Sequence, residues 1–332
     1  MARKFRPAIY AAVILAAVTL AVLRGLPGRA SAGPALVVAE FFPDRTRLWE
    51  VPAASPENRR LLGEVPDPTG YGLNGTVSPD GRFLAYLTWR GTARPDTGAE
   101  LWVLDLRTGG GRRVTAQLDL YWPPVWRPDG RALVVRRSDY EGRRFSLTEV
   151  DLAGREREVR AVTGKAAIFP VGWDFAGRLV SVVIGPPNEV WAGEARVGLP
   201  DGAPRDFRLA PDGRTLVLRL VRPGSPGLLA VDLGSGQVRP EPGDAFVWGP
   251  GPGRTRTQAG RLTVEAGGRL STLAAVSGDI EPLGWDPSGR HLAVRWLRGS
   301  RSGLSVIDAS GAERPLDFAG YPEFIGWTGG EG

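Results

Sequence analysis

Cysteine is absent from this sequence, histidine occurs once, and lysine supplies only two of the 42 basic side chains. The first absence removes disulfides, a thiol nucleophile, thiolate zinc ligands and a lipid-modified cysteine anchor. The single His291 follows a turn-like Gly-Arg at the head of an apolar run, and one imidazole cannot build a multi-histidine metal site. No Gly-x-Ser-x-Gly elbow occurs, so a hydrolase domain of that kind is not expected. Enzymes that need only carboxylates, such as glycosidases or lyases, survive this filter. Asparagine and glutamine number three each, and this scarcity, with the arginine bias, fits a hot habitat or GC-rich codons equally well.

Acidic residues are missing before Glu40. Arg3, Lys4, Arg6, Arg24 and Arg29 carry five of the six net positive charges, and from Gly33 onward 37 basic side chains face 36 acidic ones. A near-neutral body lacks the basic footprint that a phosphate backbone requires, so nucleic acid is not an expected partner. Between those N-terminal charges, Pro7 to Leu23 form an uncharged run of seventeen residues, which predicts one hydrophobic helix and marks an export signal. The run is long for the core of a signal peptide and short for a membrane span. Residues 1–32 therefore read as a signal-anchor retained in the membrane, or as a signal peptide cut after Ala32 in the pattern Ala30-Ser31-Ala32. The body, residues 33–332, is expected outside the cytoplasm: anchored in the inner membrane and facing the periplasm or the cell exterior, or secreted if cut.

Glycine (46) and proline (29) are plentiful but scattered between apolar runs, which makes them turn punctuation rather than low complexity. Their pattern repeats. TVSPDGRFLAYL from Thr76, VWRPDGRALVVRR from Val125, VGWDFAGRLVSVVI from Val171 and FRLAPDGRTLVLRL from Phe207 are the clear copies, with weaker ones from Phe246 and Leu283. The turn glycines Gly81, Gly130, Gly177, Gly213, Gly253 and Gly289 are spaced by 49, 47, 36, 40 and 36 residues, a period that means stacked supersecondary units. Proline presets the first central position of the turn, aspartate bonds back to the backbone, and glycine supplies the left-handed residue that lets the return strand pair. Downstream, a second apolar run ends in Asp105, Asp151, Asp232 or Asp308 before another glycine turn.

Each unit thus predicts four antiparallel strands, a to d, and the fold class is all-β, a β-propeller of four-stranded blades. Leu36 to Val65 read as strands b to d of a blade with no strand a, while Glu323 to Trp327 read as a strand a with nothing after it. The last strand is therefore expected to complete the first blade. Seven blades of about 42 residues follow, or six if the unit beginning near Asp244, with RTRTQAG in place of strand b, is not a blade.

The apolar-x-Trp-x-Pro-Asp-Gly-Arg pattern, seen best at Val125 to Val135 and Ser78 to Tyr86, resembles the TolB-type, WD-repeat-like propeller repeat of bacterial proteins. That repeat is common in periplasmic and secreted proteins and in the propellers of prolyl-oligopeptidase-like peptidases. The resemblance covers nearly everything after residue 35 and implies fold and compartment more than activity. TolB itself places an α/β domain before its propeller, whereas only a short link separates the N-terminal run from the first predicted blade here.

Trp126, Trp173, Trp248, Trp285 and Trp327 share one strand-a position that Val77 and Leu209 fill in other units, so the position is core rather than a stacking platform for sugars. Asp80, Asp129 and Asp212 read as turn aspartates without a catalytic or calcium role. Variation gathers instead where strand d leads to the next strand a, in segments 66–75, 118–124, 164–170, 200–207, 278–282 and 319–324. The candidate binding residues of this d–a face are Tyr71, Tyr121, Trp122, Lys165, Arg205, Asp206, Asp279, Glu281 and Tyr321. The loop from Trp89 to Glu100, with Arg90, Arg94 and Asp96, is expected to overhang the same face. No catalytic residue, metal ligand or cofactor is assigned. The expected function is a monomeric binding or scaffold module for a protein, a peptide or a cell-envelope glycan. The alternative is a carboxylate-dependent glycosidase or lyase at the central channel, pairing Asp206 with Asp279 or Glu281.

Overall fold

The Pro-Asp-Gly turns set the frame. Gly81, Gly130 and Gly213 adopt φ of 67°, 67° and 68°, the left-handed region the turn demands, and Asp80, Asp129 and Asp212 each accept the backbone N–H two residues on. Each turn closes an a–b hairpin, and the c strands end as the sequence predicts, at Asp105, Asp151, Asp232 and Asp308. In the computed structural model, which describes residues 33–329 apart from 68, 92–93, 223–226, 243–244, 250–252, 259–260, 267–268 and 276–278, the strands form seven four-stranded antiparallel sheets. The predicted helix within residues 1–32 lies outside the described residues.

Blade 1 takes strand a from the end of the chain. Tyr321–Trp327 pairs with Ala35–Phe41, bringing Leu36 opposite Trp327 and Val38 opposite Phe324. Beyond the strand, Thr328 donates its N–H to the carbonyl of Ala35 at 2.7 Å. Blades 2 to 5 begin with Leu73–Val77, Val125–Trp126, Ala167–Trp173 and Ala203–Leu209, and blades 6 and 7 with Ala245–Trp248 and Asp279–Trp285. The poorly patterned unit is a blade. Its strand b, Arg254–Gln258, buries Thr255, whose hydroxyl accepts the indole N–H of Trp285 at 2.7 Å, and Thr257 donates to the Ile280 carbonyl. Side-chain hydrogen bonds to blade 7 add there to the packing of Val247 and Leu262 against Ile280 and Leu292, so strand b holds its place without an apolar pattern.

The core lies between the sheets rather than along the axis. One apolar cluster joins Leu84, Tyr86 and Leu104 of blade 2 to Val37, Leu48 and Leu62 of blade 1, and another joins Leu101, Val103 and Leu118 of blade 2 to Leu133 and Val135 of blade 3. The recurrent tryptophans are struts between neighbours. Trp126 donates to the carbonyl of Thr76 in the preceding blade, Trp327 to Gly284 and Trp248 to Arg208. The glycine before two of them is needed for close approach: a Cβ on Gly172 would meet Leu209 at 2.7 Å, and one on Gly326 would meet Val77 at 2.9 Å. The pairing register slips at this point, between Pro170 and Gly172 and between Pro282 and Gly284.

Those bulges correct one expectation. Arg205, Asp206, Asp279, Glu281 and Tyr321 lie on strand a itself rather than in the preceding connections. Pairing with strand b resumes upstream of each irregularity, so the inner strands begin earlier than hydrophobic patterning indicates. Tyr71, Tyr121, Trp122 and Lys165 lie in connections, as expected.

Candidate functional site: an aromatic pocket on the d–a face

The segment that carries Tyr121 and Trp122 is held from below by a buried ion pair. Asp119 and Arg136 are 0% and 4% exposed, and the carboxylate of Asp119 accepts from the Arg136 guanidinium, from the Ser138 hydroxyl at 2.5 Å and from the Tyr121 N–H at 2.9 Å. Arg136 also donates to the Ile168 carbonyl of blade 4 at 2.9 Å, and its guanidinium carbon lies 4.4 Å from the centroid of Phe169 and 4.9 Å from that of Phe145. Leu120 is pinned at both backbone groups, its N–H to the Pro95 carbonyl and its carbonyl to the Asn74 side-chain amide. Charges this deep persist only when paired and hydrogen-bonded, and here both conditions hold.

On that support Trp122 meets two further rings. Its centroid is 4.9 Å from that of Phe169 and 5.4 Å from that of Phe207, with planes tilted by 59° and 43°, and its indole N–H is taken by the Pro170 carbonyl at 2.8 Å. The three rings come from the entries to blades 3, 4 and 5 and line a pocket of about 480 Å³. Among the described residues Arg205, Asp206 and Arg208 supply its charge, and Thr76 of blade 2 its one hydroxyl.

The structure thus brings Trp122, Arg205 and Asp206 together and leaves the other candidates apart. Tyr71 packs edge-on against Trp89 at 5.0 Å, Tyr321 stacks on Phe41 at 6.4 Å, and both are about half exposed. Tyr121 and Lys165 are exposed in turns, and Asp279 is exposed at the start of strand a of blade 7. Arg94 of the loop after Trp89 pairs with Asp96 at 2.9 Å and lies 5.8 Å from the Tyr140 ring.

Phe169, Phe207, Arg208 and Glu323 are the residues that sequence reasoning did not single out. A positional signal was available for two of them. Trp122, Phe169, Glu281 and Glu323 each stand four residues before the strand-a tryptophan, and Arg205 stands four before the equivalent Leu209. One ring position is therefore aromatic in blades 3 and 4, basic in blade 5 and acidic in blades 7 and 1. Asp206 does not join Asp279 or Glu281; it pairs with Arg219 of its own blade at 2.9 Å, two blades away. Glu281 instead shares Arg295 with Glu323, at 3.5 and 4.0 Å. Burial pushes the Glu323 carboxyl above the usual range, Arg295 pulls it back in part, and Glu281 raises it further. Among the described residues no group of three or more His, Asp or Glu side chains is placed to hold a metal ion.

No protein-family model matches this sequence, and no curated protein matches it. Solved structures do match. TolB from Acinetobacter baumannii is 18% identical, with a TM-score of 0.53 over 94% of this chain and 71% of that one. Oligogalacturonate lyase from Vibrio parahaemolyticus is 12% identical, with a TM-score of 0.56 over 82% and 91%. The β-propeller domain of the trilobed protease from Pyrococcus furiosus is 15% identical, with a TM-score of 0.53 over 84% and 96%; it is described as having an open velcro topology, whereas Tyr321–Trp327 closes the present ring. Identities this low carry the fold and nothing finer, and the fold they carry is the one built above from turns and struts: a seven-bladed β-propeller.

Proposed function

We propose that this chain is an extracytoplasmic binding module, held at the membrane by its N-terminal run, that seats a segment of a protein or peptide partner in the pocket of Trp122, Phe169 and Phe207. The observation that carries this reading is the convergence of three rings, from three successive blades, on one concavity of about 480 Å³. A mostly apolar wall with a few placed charges suits a side-chain anchor. Mutually tilted rings and a wall without asparagine or glutamine among the described residues suit a flat, hydroxyl-rich sugar less well. Capture from the protein's own envelope fraction tests the site: Trp122→Ala with Phe207→Ala should abolish recovery of the partner that the parent retains, and equal recovery would exclude this face. Compartment is tested separately, by proteolysis of spheroplasts; a body protected from added protease would remove the exported reading.

One observation favours a second reading. An acid raised by burial beside a second carboxylate is the arrangement that glycosidic cleavage uses, and Glu323 and Glu281 share Arg295 at the inner strands. Release of new sugar ends from envelope polysaccharide by the parent, and none by Glu323→Gln, would establish this reading over the first.

A further inference from the structure

Five consecutive residues of one strand, Pro204 to Arg208, wall the pocket. In a regular strand alternate side chains leave on opposite faces, so a single pocket would receive every second one. Here the register with strand b slips between Arg205 and Arg208, and Asp206 takes φ of 52°, a left-handed conformation far less natural to aspartate than to glycine. Such a bulge re-aims side chains, and strained backbone of this sort concentrates at binding sites. Its electrostatic consequence is asymmetric. Asp206, the one carboxylate of the wall among the described residues, is engaged by Arg219 at 2.9 Å. Arg205 and Arg208 are exposed and have no acidic partner among the described residues; the one hydrogen bond of the Arg205 guanidinium goes to the carbonyl of Pro204.

We infer that the pocket takes an acidic peptide segment, in which a bulky apolar side chain enters between Trp122, Phe169 and Phe207 while adjacent carboxylates meet Arg205 and Arg208. This rests on the reading of the pocket as a partner site. Guanidinium groups match carboxylates in planar, two-point geometry, and a low-polarity wall beside them strengthens the attraction. Among the described residues the remaining wall is glycine, proline, valine and isoleucine with a single threonine, which offers little to read sugar hydroxyls and so assigns the anion to a peptide rather than to an acidic glycan. Asp206 acts as a positioning residue: its bulge presents the arginines, and its own charge keeps Arg219 occupied.

The test uses the full-length chain in detergent and fluorescence anisotropy with four labelled probes. Three are Gly/Ser peptides of equal length carrying a central Trp-Glu-Glu, Trp-Lys-Lys or Ser-Glu-Glu; the fourth is a hexuronate trisaccharide. The Trp-Glu-Glu peptide should bind at least about tenfold more tightly than the other three, and should weaken steeply as salt rises from about 50 to 500 mM. Arg205→Gln with Arg208→Gln should cost about tenfold for that probe and little for Trp-Lys-Lys. Asp206→Gly keeps a backbone that tolerates the bulge, removes a negative charge from the wall and ends its ion pair with Arg219, so it should tighten Trp-Glu-Glu binding. Equal affinity for Trp-Glu-Glu and Trp-Lys-Lys, both lost in Trp122→Ala, would overturn the acidic assignment while leaving the pocket reading in place. Preference for the trisaccharide would overturn the peptide class. Failure of every peptide, with the variants' thermal melts unchanged, would remove both.

Discussion

Carboxylates on the two faces of this ring meet opposite fates. On the turn face Asp151, Asp232 and Asp308 are held below the ordinary carboxylate range, through the N–H of Arg155, the N–H of Ser235 and the hydroxyl of Ser310 respectively, with further N–H groups of their own turns. On the d–a face Glu323 is pushed upward by burial. Asp151, Asp232 and Asp308 each accept three bonds from the turn that contains them, which commits them to holding that turn. The residues four before the strand-a tryptophan do not recur in chemistry, and their capacity is not exhausted locally. Uniformity along the repeat marks what builds the ring, and departure from it marks where the ring is free to act.

Asp119 is the exception on the d–a face, an acid as fully satisfied as any turn aspartate, and it offers the largest test. Arg136→Met would leave its carboxylate buried and unpaired, which should destabilise the protein by about 3–5 kcal/mol in urea unfolding, with part recovered when Asp119→Asn is added. Because the pair also fixes the Tyr121 N–H and underlies Phe169, partner capture should fall in the single variant. A cost under about 1 kcal/mol would mean that the pocket's support carries no more than a surface ion pair does.

The turn face is broken next by two glycines that look alike in sequence. Gly130 and Gly213 both sit in Pro-Asp-Gly-Arg turns at nearly the same φ. A Cβ on Gly130 meets nothing within 4 Å, so Gly130→Ala should report conformational cost alone, about 1–2 kcal/mol. A Cβ on Gly213 would lie 2.5 Å from the N of Phe175 and 2.6 Å from the carbonyl carbon of Asp174, both backbone atoms of blade 4. Gly213→Ala should therefore cost about 2–4 kcal/mol. Equal costs for the two would show that the turns do not lock neighbouring blades.

Local chemistry explains how much of this was legible in the sequence. Blade number, strand order and closure could be read because a Pro-Asp-Gly turn, an aspartate-ended strand c and an apolar strand b are each decided within a few residues. The tryptophan position could be read as core because Val77 and Leu209 satisfy it too. The pocket could be read only in part. Trp122, Arg205 and Asp206 stood out by type, but Phe169 and Phe207, in the same variable segments, show no reason to be picked out until three blades are brought together around them. The slip at Asp206, which places Arg208 on the same wall as Arg205, has no sequence mark at all; it is a property of how that strand meets its neighbour.

The smallest effect tests the comparison at its root, because it asks two acids to respond to pH with opposite signs. Burial alone would raise Asp286, but bonds from the His291 ring, the Ser288 hydroxyl and the N–H groups of Arg290 and His291 outweigh it and hold the carboxyl below the ordinary range. Its contribution to stability is therefore complete above the unfolded value of about 3.9 and is lost as pH falls through the lower folded value. Glu323 runs the other way. Its folded form prefers the proton, so a cost appears as pH rises from the unfolded value through the higher folded one, and persists above it. Asp286→Asn should lower the melting temperature at pH 7 and flatten the acid limb of the stability curve. Glu323→Gln should raise the melting temperature slightly at pH 7, the shift being small because its side chain is 41% exposed and screened by solvent, and the gain should vanish towards pH 4. A fall instead of a rise in Glu323→Gln would mean that the contact with Arg295 outweighs burial, and that the acids of the two faces differ in degree rather than in kind.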